Sequence, residues 1–189
     1  MPSPIGHALA GAAFFEARPD LFFRVKWLEA LFYAFLANLP DADFLPGFIQ
    51  GYPNRYHHGI FHSLGAAVAV AAVSGLVFLW LKKKRPWKAS LFVFLVFYSH
   101  LLLDFFTWDF APPYGLPLFW PFSAKYFIAA HPVFININRS ARSANFFSSL
   151  FSSHNLDAVL RELALLGGLA ILAATARWLL DKKSGRRRA

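Results

Sequence analysis

Residues 60–81, IFHSLGAAVAVAAVSGLVFLWL, run for 22 positions without an Asp, Glu, Lys or Arg. At about 1.5 Å of rise per residue this is roughly 33 Å of helix, enough to cross a hydrocarbon core of about 30 Å. Lipid offers no partner for backbone N–H and C=O groups, so such a run must satisfy them internally, as an α-helix. The basic stretch KKKRPWK (82–88) ends it, and a second apolar segment, ASLFVFLVFYSHLLLDFFT (89–107), follows at once. A third, LALLGGLAILAATARWLL (163–180), runs into KKSGRRR (182–188). Within it, the Gly167-Gly168 pair is expected to let two spans approach closely. Two shorter segments, GHALAGAAFFEA (6–17) and WLEALFYAFLANL (27–39), have helical period and are read as tilted spans or half-embedded helices. The predicted fold class is all-α: a polytopic helical membrane protein with about 4–5 hydrophobic helices and a long Pro- and aromatic-rich loop. Composition agrees, since 57% of the 189 residues are hydrophobic and only 15% charged, against about 45–50% and 25% in soluble domains.

The net charge is +9, and its densest runs, 82–88 and 182–188, each follow an apolar segment. That is the placement of cytoplasmic anchors, so no nucleic-acid partner is expected. The N-terminal segment lacks the basic start of a signal peptide and is read as part of the bundle. With the 82–88 loop and the C-terminus cytoplasmic, the start of the 60–81 span faces outward, as does the end of 89–107. The 27–39 helix then delivers LPDADFLPG to the same outer side.

Threaded this way, His7, Asp41, Asp43, His57, His58, His62, His100 and Asp104 converge on one end of the bundle, although none of them set the orientation. His100 and Asp104 are four residues apart and share a helix face. Ionisable groups inside a span persist where they pair, line a cavity or bind a cation; here a bond fixing two helices and a metal or catalytic role both remain open. Asp41 and Asp43 sit on a turn that Pro40 opens, as turn carboxylates or as metal ligands. With no cysteine in the chain, a metal site must use imidazole and carboxylate, a donor set suited to Zn²⁺, Mn²⁺ or Fe²⁺. His131 and His154, in the polar loop, are expected to be structural or solvated; Arg139 and Arg142 could hold an anionic substrate, but a solvated-loop role is preferred for both. No G-x-S-x-G elbow surrounds Ser63, and phosphate loops and dinucleotide fingerprints are absent.

Five short stretches occur in order: the early GH, LPDADF, HHGIFHSL, SHLLLDFFT and GLPLFWPFS. Together they resemble the YdjM-like family of inner-membrane proteins assigned as metal-dependent hydrolases. Over residues 5–123 the resemblance implies that His7, Asp41, Asp43, His57, His62, His100 and Asp104 bind metal, with the GLPLFWP loop beside them. His58 stands where the family pattern has Arg, and Phe61 where it has Thr, so His58 is either an extra ligand or an anion contact. Scattered His and Asp with H-x-x-x-D also bear a remote likeness to zinc phospholipase C and related zinc nucleases.

The expected organisation is one membrane domain, 1–189: a metal-site core (5–123), an outer loop (124–156), and a C-terminal transmembrane helix with its basic tail (157–189). The expected function is hydrolysis of a phosphoester or related ester, in a lipid or otherwise, by one or two divalent ions, zinc foremost. Asp41 and Asp43 divide the roles of ligand and general base or orienter. The alternatives are a non-enzymatic membrane protein with a structural or sensory metal site, and a transporter; the latter is disfavoured because the polar residues gather at one end of the spans. The orientation is testable by reporter fusions. A fusion at Lys84 or after Lys183 should report the cytoplasm and one at Ser140 the outer side; the reverse pattern would overturn it.

Overall fold

The computed structural model describes residues 1–18, 21–110 and 113–184. The last part of the basic tail, 185–189, and the start of the APPYG stretch, 111–112, lie outside the described residues. At the centre is α5 (Pro86–Phe105), whose buried residues are Ala89, Val93, Val96, Phe97, His100, Leu101 and Asp104. Steps of three and four place them on a single helical face. α1 (Pro4–Ala17), α2 (Lys26–Asn38) and α4 (Leu64–Trp80) pack against α5, and α1 also packs on α2 and on α8 (Gly168–Lys183). The first turns of the α5 face join Phe22, Tyr33, Leu36 and Phe78 in one apolar cluster, and Phe97 and Leu101 join Ala67 and Leu116 in a second. At His100 and Asp104 the stripe turns polar. The described residues form helices and turns with no β-strand; Thr107–Phe134 and Leu116–Phe127 are isolated bridges.

Among the described residues, two helices are long and apolar enough to cross a membrane: Pro86–Phe105, of 20 residues, and a continuous helix Ser153–Lys183, of 31. The latter comprises α7 (Ser153–Glu162), a π-helical turn Leu163–Gly167, and α8. At about 1.5 Å per residue it is roughly 46 Å long, well beyond the apolar segment 163–180. Its polar first turns begin at Ser152, whose Oγ accepts from Asn155 N at 3.2 Å. The 60–81 run differs from expectation in the other direction. Its helix is Leu64–Trp80, 17 residues, or about 25 Å. Ser63 is the reason: its Oγ accepts from Ala66 N at 3.1 Å, which fixes the N-cap there. His62 therefore lies on a 3₁₀ turn, Ile60–His62, just before the helix. Gly167 and Gly168 do not mediate close packing, because a Cβ on either would meet open space.

Several long-range bonds hold the frame. At the end bearing the basic loop, the buried Glu29 carboxylate accepts from the backbone N–H groups of Leu21, Phe22 and Phe23 at 2.5–3.1 Å, and Lys83 Nζ donates to Phe22 O at 2.7 Å. At the opposite end, Ser3 N and Oγ both bond the Glu162 carboxylate, tying the start of α1 to α7. α6 (Ser143–Ser149) and α3 (Phe44–Ile49) meet through Phe48 and Phe146, edge to face at 4.8 Å.

The GLPLFWP loop docks on the first turn of α4. Leu64 N donates to Leu118 O at 2.8 Å and Gly65 N to Trp120 O at 3.1 Å, supplying acceptors for unpaired helix-start amides. This approach requires glycine, since a Cβ at residue 65 would lie 2.5 Å from Trp120 O. Gly65→Ala should therefore lower stability by about 1–3 kcal/mol, whereas Gly168→Ala, in open space, should be neutral or stabilise by up to about 1 kcal/mol. Thermal unfolding in detergent checks this; equal midpoints for the two variants would contradict the close approach.

Candidate metal centre

Five separate segments bring donors to the polar end of α5. His7 comes from the second turn of α1. Asp41 and Asp43 come from the 3₁₀ turn Leu39–Asp43, which replaces the last turn of α2 where Pro40 cannot continue it. His57 and His58 lie on the turn before Ile60–His62, and His100 and Asp104 on α5. His58 holds a left-handed backbone, φ 59°, a conformation uncommon outside glycine and often retained at functional sites.

Three donor atoms form a nearly equilateral triangle. His62 Nε2 and His100 Nε2 are 3.2 Å apart, and Asp104 Oδ2 lies 3.3 and 3.2 Å from them respectively. For a tetrahedral zinc ion with ligands at about 2.0–2.1 Å, ligand atoms are about 3.3 Å apart, so the triangle has the size of one coordination face. Asp41 Oδ1 stands off it, 3.7 Å from His62 Nε2 and 3.6 Å from His100 Nε2. Both imidazoles are aimed from behind. His100 Nδ1 donates to Ala37 O at 2.7 Å, which fixes the ring and turns Nε2 inward. His62 Nδ1 lies 2.9 Å from Asp43 Oδ2, a close contact off hydrogen-bond alignment. Asp43 also accepts from Gly59 N at 3.3 Å and faces His57 Nδ1 at 3.2 Å, so it binds the whole histidine turn.

The other donors surround this triangle. His7 stacks on His100 with ring centroids 3.6 Å apart, and its Nε2 lies 3.4 Å from Asp104 Oδ1. His57 Nδ1 is 3.7 Å from Asp41 Oδ1. His58 lies between Asp104, 3.9 Å from Nε2, and Asp109, 3.7 Å from Nδ1. Groups of potential ligands are His62–His100–Asp104, Asp41–Asp43–His57–His62, His7–Asp41–His100 and His57–His58–His62. They overlap, sharing His62, His57, His100 and Asp41.

Among the described residues, His7 Nδ1 and Nε2, Asp41 Oδ1, His57 Nε2, His58 Nε2 and both Asp104 oxygens are buried without a hydrogen-bond partner. Unpaired buried polar atoms are unfavourable, and a divalent cation satisfies such a group at once. Burial, followed by the neighbouring His58, holds the His57 imidazole well below its ordinary pKa; for His58 burial comes first and His62 second. Both are therefore neutral near pH 7, with lone pairs available for coordination.

All eight residues singled out in the sequence, His58 included, meet here. His131 is exposed, and His154 Nε2 donates to Asn136 O at 2.8 Å, outside the cluster. Asp109 is not legible in the sequence as part of the site, and Arg139 has there only the less favoured reading of an anion contact. Asp109 follows α5 in a stretch without periodicity, and its Oδ2 accepts from Gly115 N at 2.9 Å. Arg139 is not a solvated loop residue: its Nε donates to Asn54 Oδ1 at 2.9 Å, its guanidinium lies 5.1 Å over the Phe44 ring, and it feels the charges of Asp41, Asp43, Asp104 and Asp109. Arg142 is exposed, as expected.

No curated protein and no solved structure matches the chain. A family profile described as YdjM inner membrane protein does, over residues 1–181. Five segments with their His and Asp residues gathered at one end of an apolar bundle thus lie within a single family match that covers nearly the whole chain, and the chain belongs to the YdjM inner membrane protein family.

Proposed function

We propose that this protein is a multi-pass, membrane-bound, metal-dependent hydrolase of phosphoesters or related esters. His62, His100 and Asp104 would hold the ion, zinc foremost, with manganese or iron as alternatives. The observation that carries the reading is the position of Asp41. It adjoins the three-donor triangle and also lines a cavity shared with Phe44 and Arg139. Catalytic zinc sites combine three protein ligands with an open position, and Asp41, which adjoins the triangle and lines the cavity, is the link between the two.

A divalent ion held by His62, His100 and Asp104 would supply Lewis acidity, polarising an ester and bringing the pKa of a bound water toward neutral. The remaining work falls to the chain. Asp41, on the cavity side, is placed to orient an incoming water and accept its proton. Asp43 is a positioning residue, holding His62, His57 and Gly59. The Ala37 carbonyl does the same for His100. Burial of the triangle in the bundle excludes bulk water from it. The basic loops 82–88 and 182–188 would lie in the cytoplasm and the site near the outer face. His7, His57 and His58 would complete a second ion position when two ions bind.

Assay of purified protein on a panel of phosphomonoesters and phosphodiesters tests this. Turnover should disappear on chelation and return with zinc. Asp104→Asn should abolish it together with bound metal. Asp43→Asn should lower metal affinity or activity about 10–100-fold, the range for losing a partner that orients a ligand. Turnover indifferent to chelation and to Asp104→Asn would contradict the proposal, as would metal-loaded protein inert on the whole panel.

A further inference from the structure

The cavity beside Asp41 has a volume of about 340 Å³, at the lower end of the roughly 300–1,000 Å³ of small-molecule pockets. One end is polar: Asp41, Asn38 and Arg139. The rest is apolar, with Phe44, Phe48, Phe146, Phe147 and Leu150 among its walls. The aromatic walls are interlocked. Phe146 meets Phe44 edge-on at 5.9 Å, and Phe48 stacks on Phe147 at 5.9 Å.

The polar end is built with equal care. Asn138 N donates to Asn155 Oδ1, and Asn155 Nδ2 to Asn138 O, both at 2.7 Å, which pins the backbone just before Arg139. Asn54 takes the Arg139 Nε–H and Phe44 supports the guanidinium plane. Among the described residues the two terminal nitrogens of Arg139 make no hydrogen bond, which leaves a fork of donors suited to phosphate. Asn38 donates from Nδ2 to Ala34 O at 2.9 Å, while its buried Oδ1 has no partner among the described residues. It is an acceptor for a hydroxyl on a bound molecule.

We propose that this cavity binds an amphiphilic phosphoester from the bilayer. Its phosphate lies between Arg139 and the metal centre, and its apolar chain fills the pocket walled by Phe44, Phe48, Phe146, Phe147 and Leu150. The inference rests on the hydrolase reading and names the substrate class within it. Three features select this ligand. The polar groups sit at one end, whereas a sugar or nucleotide would need them distributed. The volume suits one chain segment and not a complete two-chain lipid. Asp41, Asp43, Asp104 and Asp109 would repel an anion in the absence of the ion, so head-group binding should require metal and chain binding should not.

The test uses zinc-loaded protein in neutral phosphatidylcholine nanodiscs, with empty nanodiscs as the blank. Butyl, hexyl, octyl and decyl phosphate are titrated by calorimetry, with inorganic phosphate as a head-only probe. Affinity should rise about tenfold or more from butyl to octyl phosphate, as each buried methylene adds apolar contact. Leu150→Trp, which fills the pocket, should flatten the series. Arg139→Gln should weaken every member about tenfold through loss of a charge-assisted donor pair. Metal content, measured alongside, reports whether each variant is folded. A flat series in the wild type, or one rising equally in Leu150→Trp, would overturn the assignment. So would inorganic phosphate binding as tightly as octyl phosphate. Turnover is read separately. Chain-dependent binding without hydrolysis would refute the hydrolase reading and leave the cavity assignment standing; hydrolysis of short soluble phosphoesters with a flat series would refute the cavity assignment alone.

Discussion

The Asp104 carboxylate, buried in the last turn of α5, is the constraint around which the rest is arranged. An ionisable group in a span is unfavourable by about 2.5–3.5 kcal/mol on insertion scales. Nothing in the described chain donates a hydrogen bond to either of its oxygens. Its neighbours are His7, His62 and His100, at 3.2–3.4 Å. The Ala37 carbonyl turns His100 Nε2 inward, beside this carboxylate. A cation relieves carboxylate and lone pairs together. The polar end is thus a set of closely spaced His and Asp groups of a kind that could hold a divalent ion.

The fold supplies this arrangement by letting one helix face change character along its length. From Ala89 to Leu101 the α5 stripe packs against apolar residues of α2 and α4, and at His100 and Asp104 the same stripe faces donors. Each other donor is brought to that point by a local stop signal. Pro40 turns α2 into the 3₁₀ turn that carries Asp41 and Asp43. Ser63 starts α4 one residue beyond His62. The GLPLFWP loop closes over that start and needs Gly65 to do so. Exposed apolar residues such as Leu76, Trp80, Ile171 and Leu172 occupy the outward faces, where lipid would meet them.

Much of this was legible in the sequence, for a definite reason. Apolar runs and basic stops fix where helices lie and which ends share a side, and His7, Asp41, Asp43, His57, His58, His62, His100 and Asp104 all fall near the same ends. The pairing of His100 with Asp104 follows from helical spacing alone. What spacing does not encode was missed. Asp109 and Arg139 reach the site through irregular backbone, placed by Gly115 and by the Asn138–Asn155 clamp. Apolar content alone overstated the 60–81 helix, because one serine cap outweighs it. Gly167 and Gly168 matched a packing motif yet face open space.

The central claim is that His62, His100 and Asp104 bind a metal ion. Metal content with X-ray absorption on purified protein tests it most directly. The account predicts at least about one tightly bound divalent ion per chain, with nitrogen and oxygen neighbours at about 2.0–2.2 Å, lost in a His62→Ala, His100→Ala double variant. A wild-type protein that takes up no ion after zinc loading, or a double variant that keeps its ion unchanged, would contradict it.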